Sequence, residues 1–425
     1  VTRRPDEAAT RTLPATDPGP EPPERESPVP DTGRAPAANR ETGRRREPAR
    51  RAAPKRAAQP EREPSRRERR ADARAAKRQA RRERRAAPTP RVAAATVAEV
   101  PVPRWARPLF VLGVLAVLGG VASAALAIAE IGPTWLDEAG AIAISTTLTF
   151  ALAARTGGRP FVFGGLALGF GVVAVVTGNE TLRGGAAVLT AVSAGVLGVM
   201  ATVPAVRFRG ALREAVIALV TAGVGAIAVI GFRPVVSLER YDYLTLGLAF
   251  ALALVLVYRL GAGFHGLGRR GLFVVLVGSA SLAVTMAYAE MLRRYGSQEL
   301  VDGINDAVRW LRENARAVPR PIQVLVGIPA LVWGTHMRAR RRQGWWVCAF
   351  GTAATVSVAG ILVNPATGWL EAGLIVLYSL VPGALLGYVL IRLDLAFTGP
   401  RGSRARRAEE ATAIRPEPAR WHALL

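Results

Sequence analysis

The chain has 425 residues, half of them hydrophobic, and a formal net charge of +24. Such apolarity and such charge coexist only where they occupy different stretches, which excludes a single water-soluble domain with an evenly polar surface. Cys348 is the only cysteine, so an intrachain disulfide and a paired-cysteine metal knuckle are excluded as well.

Residues 1–107 hold 28 of the 56 Lys and Arg and 15 of the 32 Asp and Glu, with Pro, Ala and Gly filling most of the rest. This composition is too polar and too poor in aromatic residues to bury a core, and it predicts a disordered cytoplasmic tail. The tail is also much longer than the short charged region that opens a cleaved signal peptide. Within it, residues 62–85 carry twelve basic and four acidic residues. Ser65-Arg66-Arg67-Glu68 has the form of a capping box, and the Ala/Arg run behind it predicts a charged helix near 65–87 that stops at Pro88. With no apolar face the helix stays solvated. Its tether to the first apolar block is about 20 residues, which favours anionic lipid headgroups over nucleic acid as its partner.

From Pro108 the chain changes to Ala, Val, Leu and Gly in blocks long enough to cross hydrocarbon. Ten blocks are expected: 108–130, 139–154, 160–178, 186–206, 214–232, 244–258, 271–291, 321–337, 345–363 and 370–391. The fold class predicted is therefore an all-α, polytopic membrane helix bundle over 108–392, followed by a second cytoplasmic tail over 393–425. Cytoplasmic loops carry the excess of Lys and Arg. With both termini inside, 47 basic residues fall on the inner side and nine on the outer, which places the bundle in the plasma membrane in this orientation.

The acids run the opposite way. Glu130, Asp137, Glu138, Glu290 and Glu371 fall at outer ends of blocks and form a candidate outer vestibule; Glu214 and Asp394 are the acids at inner ends. Two stretches echo one another, GPTWLDEAG at 132–140 and NPATGWLEAG at 364–373. Both open a descending block, so Trp135 and Trp369 suit headgroup depth and the following acids suit the positive end of a helix. A duplicated unit is the alternative reading of the echo.

No Lys, Arg, Asp or Glu is expected at mid-bilayer, which disfavours a pump built on a buried carboxylate. The polar content at depth is hydroxyl. Ser145, Thr146, Thr147 and Thr149 in the second block, Ser281 and Thr285 in the seventh and Thr355 in the ninth are candidates to line a substrate path. Hydroxyls also satisfy themselves on the preceding turn, so packing is the competing reading. Pro329, and Pro382 followed by Gly383, interrupt helix hydrogen bonding in the eighth and tenth blocks, and Pro382 joins the candidate path. Gly165/Gly169, Gly195/Gly198 and Gly223/Gly225 suit close helix packing, since no strand precedes them to make a nucleotide loop. No HExxH, Walker loop or paired histidine occurs, so neither catalytic residues nor a metal or other cofactor is expected.

Between the seventh and eighth blocks, Leu300, Ile304, Val308 and Leu311 recur at helical spacing against Asp302, Asp306, Arg309, Arg312 and Glu313. They predict an amphipathic helix over 297–316, capped by Ser297 and lying across the outer mouth. In outline, ten short Gly/Ala-rich spans with both ends inside resemble the drug/metabolite transporter superfamily. The resemblance is one of architecture, with no motif behind it, and implies a facilitator for a small molecule. A non-transporting scaffold, whose basic tail grips anionic lipid or partner proteins, is the alternative. Reporter fusions after Arg270 and after Arg320 are expected to report opposite faces of the membrane. A shared compartment would overturn the assignment of sides.

Overall fold

The computed structural model describes residues 106–262, 264–340, 343–398, 417–420 and 422–424. The charged helix expected near 65–87, the stretch 62–85 expected to meet anionic lipid and the Glu290 side chain lie outside the described residues. All regular structure among those residues is helical. In chain order the helices are α1 (Ala106–Ile128), α2 (Leu136–Arg155), α3 (Pro160–Thr177), α4 (Glu180–Met200), α5 (Phe208–Gly231), α6 (Leu238–Val257), α7 (Phe264–Tyr295), α8 (Gln298–Ala315), α9 (Ile328–Arg338), α10 (Gly344–Ala349), α11 (Thr352–Val363) and α12 (Trp369–Thr398). Wider π-turns precede α7, at Tyr258–Ala262, and α9, at Gln323–Gly327.

Among the described residues, eight helical segments are long and apolar enough to cross a membrane. The other two expected blocks fall on α7 and on the π-turn with α9. Boundaries move where local chemistry decides them. Helix α3 opens with Pro160 in its first turn and closes on Gly178 at φ 62, and Asn179 then caps α4 by accepting from the Leu182 N–H at 3.2 Å. The block expected at 186–206 ends as helix at Met200, because Pro204 has no N–H to carry it on. At Pro329 the same deficit is met by the π-turn. The Ile328 N–H reaches back to the Gln323 carbonyl, and the widened turn lies just ahead of the ring.

Burial sorts the helices into a centre and a periphery. The span made by α10 and α11 is 83% buried and α4 is 67% buried, whereas the α1 span is 6% buried and keeps Val111, Leu112, Leu115 and Leu118 on its outer surface. Helix α4 packs against α5, α2, α6 and α11; α5 also meets α11, α2 and α9. Close approach is made through glycine. A Cβ at Gly198 would lie 2.7 Å from the Ala218 carbonyl, one at Gly231 2.7 Å from the Asp137 carbonyl, and one at Gly225 would strike Ala194. Gly383 and Gly387, one turn apart on α12, meet Ile328 and Val332 of α9.

Gly165, Gly169 and Gly223 depart from the expected packing role: a Cβ there meets nothing within 4 Å. On α3 the buried stripe is Gly164, Ala167, Gly171 and Ala174, a turn of the wheel away from Gly165 and Gly169. A pair of substitutions on α5 tests this packing. Gly225→Ala is expected to destabilise by about 1–3 kcal/mol through overpacking, and Gly223→Ala to be neutral or stabilising by up to about 1 kcal/mol. Thermal unfolding of the detergent-solubilised protein compares them, and equal stabilities would refute the packing assignment.

Candidate functional site: an arginine-capped helix end

A helix ends with carbonyls that have no intrahelical partner, and at the end of α4 the residues that carry them, Met200, Ala201 and Thr202, are buried. Three arginines from three distant parts of the chain supply the missing donors. Arg155, the last residue of α2, gives its Nε–H to the Met200 carbonyl at 3.0 Å. Arg420 donates to the Ala201 carbonyl at 2.8 Å. Arg338, the last residue of α9, donates to the Thr202 carbonyl at 3.1 Å and to the Thr202 hydroxyl at 2.7 Å. The negative end of the helix dipole favours all three cations.

Arg338 is 0% and Arg155 3% exposed, so their charges need counter-ions inside the protein. Glu214, near the start of α5 and also 0% exposed, accepts from Arg420 at 2.8 and 3.0 Å and from the Val203 N–H at 3.0 Å. Arg213 reaches Glu214 at 2.9 Å from a largely exposed position. Glu417 pairs with Arg338 at 2.5 Å, and the indole of Trp345 lies flat under the same guanidinium, 3.4 Å from its carbon. Arg155 also donates to the carbonyls of Ala419, at 2.7 Å, and His422, while its own carbonyl accepts from the Leu424 N–H at 2.8 Å. The segment 417–424 is thereby threaded through the site. Beside it, the Ala205 N–H bonds the Thr335 carbonyl at 3.1 Å, which ties the α4–α5 loop to α9.

This network was not foreseen from the sequence. The signals for it were Glu214, an isolated acid among the arginines of that end, and the return of Trp421 and Leu424 after a long polar run.

The residues singled out as a substrate path are placed apart. Ser145 is buried and accepts from the Thr190 hydroxyl of α4 at 2.7 Å. Thr147 bonds the Ala143 carbonyl one turn back at 2.8 Å; the hydroxyls of Thr146 and Thr149 are buried with no protein partner. Thr355 reaches from α11 to the Gly195 carbonyl of α4 at 3.0 Å. Thr285 bonds the Ser281 carbonyl within α7, and α7 packs against α10 and the two π-turns, whereas α2 packs against α1, α3, α4 and α5. Pro382 sits half-buried inside α12. A polar contact the sequence reading passed over ties the π-turn before α9 to α11: Gln323 is 0% exposed and gives its amide N–H to the Ala354 carbonyl at 3.0 Å.

The acids of the expected vestibule share the other end of the bundle, where arginines of neighbouring helices meet them. Asp137 and Glu138 open α2 and pair with Arg233 at 2.8 Å and Arg183 at 2.7 Å. Glu371, in the first turn of α12, is 3.9 Å from Arg312 of α8. Glu130 lies in the exposed α1–α2 turn at φ 56. A further pair, Asp242 with Arg320 at 3.3 Å, stands beside the Ser357 carbonyl, which the same arginine reaches. The echoed Trp135 and Trp369 are both exposed at this end, at the starts of α2 and α12. Helix α8 has the expected Ser297 cap, whose hydroxyl accepts from the Leu300 N–H, and keeps Ile304, Val308 and Leu311 half-buried.

Set against known proteins, the chain matches no family model, no curated protein and no solved structure. Among the described residues no three His, Cys, Asp or Glu side chains gather as metal ligands. What the arginine-capped end offers chemically is paired guanidinium and carboxylate recognition in a site shielded from water.

Because Arg338 is buried and paired, removing it should cost more than removing the exposed Arg213. Arg338→Met is expected to destabilise the protein by about 3 kcal/mol or more. Arg213→Ala should stay within about 0.5 kcal/mol of the parent. Thermal unfolding in detergent measures both, and an Arg338→Met variant as stable as the parent would dismiss the network as a stabilising element.

Proposed function

We propose that this chain is a non-transporting membrane scaffold, which crosses the plasma membrane with both termini on the cytoplasmic side and presents its basic N-terminal region to the anionic inner leaflet. The observation that carries this reading is how the polar groups between the helices are used. Two of the hydroxyls expected to line a path are engaged across helix contacts, Ser145 with Thr190 and Thr355 with the Gly195 carbonyl, two others, Thr147 and Thr285, bond within their own helices, and glycines bring α4 and α11 into contact. Such a bundle serves as a rigid anchor.

Ten spans, counting α7 and the helical stretch 321–338, are supported by the way the ends sort. Arg155, Thr202, Glu214 and Arg338 meet at one end, while the Asp137, Glu138, Asp242 and Glu371 pairs occupy the turns at the other, as alternating antiparallel spans require. The excess of basic residues on the Arg155 side assigns that side to the cytoplasm. The region 1–107, with 28 basic residues, then lies at a surface where each gains about 1 kcal/mol when close to anionic headgroups.

A second reading, a facilitator for a small molecule, is favoured by one feature: a helix widened into a π-turn before Pro329, with a polar Gln323 buried within that turn. The two readings separate in reconstituted vesicles. Neutral liposomes bearing the full chain are expected to capture labelled anionic vesicles at low salt, to lose them when residues 1–100 are deleted, and to release a panel of trapped small solutes no faster than protein-free liposomes. Solute release that survives the deletion, without vesicle capture, would establish the facilitator and end the scaffold reading.

A further inference from the structure

We propose that Arg155, Glu214 and Arg338 form a peptide-recognition site, and that the ligand it takes is a segment bearing a carboxylate and a guanidinium three residues apart, followed by a turn like that closed by the His422 N–H on the Ala419 carbonyl at 2.9 Å. In this chain the segment Glu417–Leu424 fills it in cis.

The contacts define the ligand class. Glu417 meets Arg338, and Arg420 meets Glu214 through two hydrogen bonds, so the site selects one charge of each sign at a fixed separation. Between and beyond these side chains the site reads main chain. Arg155 donates to the Ala419 and His422 carbonyls, and the Leu424 N–H donates to the Arg155 carbonyl. A headgroup or a free phosphate presents neither a guanidinium for Glu214 nor an amide for the Arg155 carbonyl, whereas a peptide presents both.

Burial makes the site specific. Arg338 and Glu214 are each 0% exposed, and each loses an opposite charge if the segment leaves, Glu417 in one case and Arg420 in the other. Glu214 keeps Arg213 beside it at 2.9 Å, so the larger loss falls on Arg338, and an occupant that returns both charges is preferred. The Nη2 atom of Arg155 is buried with no hydrogen-bond partner, so the resident segment leaves one donor of the site unused.

The segment is also separable from the bundle. Its described residues are not helical, Ala419, His422 and Ala423 among them are exposed, and 18 residues stand between Thr398 at the end of α12 and Glu417. That length spans at most about 60 Å. A ligand tethered so closely competes at high effective concentration, so an added peptide binds only when the resident one is weakened.

The experiment uses the full chain in lipid nanodiscs and a fluorescent synthetic peptide with the sequence of residues 411–425. The bundle is left intact, and only the chain's own segment is disabled, by Glu417→Ala with Arg420→Ala. Peptide binding, read by anisotropy, is expected to be at least tenfold tighter to the disabled chain than to the parent. A peptide carrying Glu417→Ala and Arg420→Ala should lose at least tenfold on the disabled chain. In the parent, trypsin should cut after Arg420 more slowly than in a Glu417→Ala chain. Equal binding to both chains, binding indifferent to the two peptide substitutions, or no binding to the disabled chain would each overturn the proposal. None of these readouts depends on vesicle capture through residues 1–100, so they stand or fall apart from the scaffold reading.

Discussion

The unsatisfied carbonyls at the end of α4 set the arrangement of everything around them. In an ordinary surface helix water accepts this role, but α4 is one of the most buried helices of the bundle. Arginine is suited to the position because its guanidinium carries several donors in one plane and cannot shed its charge. Once Arg155, Arg338 and Arg420 cap Met200, Ala201 and Thr202, their charges have to be balanced nearby. Glu214 and Glu417 meet that demand, and Trp345 shields the face of Arg338. The ends of α2 and α9, the start of α5 and the segment 417–424 are thus fixed by one requirement for hydrogen bonds.

The opposite end is built on a weaker principle. Its pairs join the first turns of α2 and α12 to arginines on neighbouring elements, and several partners are substantially exposed, Arg233 and Arg312 among them. Exposed pairs of this kind contribute about 0–1 kcal/mol each. They orient helix starts without committing the structure. The contrast makes the arginine-capped end the place where a bound segment changes the protein most, since Arg338 and Glu214 are fully covered with the segment in place.

Between the ends, cohesion comes from surface shape. Gly198 against the Ala218 carbonyl, Gly225 against Ala194 and Gly231 against the Asp137 carbonyl bring backbones closer than any side chain allows. Outward-facing residues such as Leu112, Leu115 and Leu118 make α1 apolar without packing it. Close packing in apolar surroundings depends on such small residues, because burial of apolar area from lipid gives little drive. The hydroxyls of Ser145, Thr190 and Thr355 supplement it with hydrogen bonds between helices.

Local chemistry made part of this legible. Apolar runs, Pro160 with Gly178, the Ser297 cap and the acids of the first turns of α2 and α12 depend on neighbours within a few residues, and the sequence by itself determined them. So did the separation of arginine-rich from acid-rich ends, which follows from alternating loops. Which glycine of α3 packs was not determined, because Gly164 and Gly165 are alike in composition and differ only in the direction they face. The tertiary structure alone decided that Arg155 meets Ala419, 264 residues away, and that Glu214 meets Arg420, 206 residues away. Charge run and hydropathy carry no information about such partners, since a buried guanidinium selects its acceptors by three-dimensional geometry and the enclosing helices make water unable to take their place.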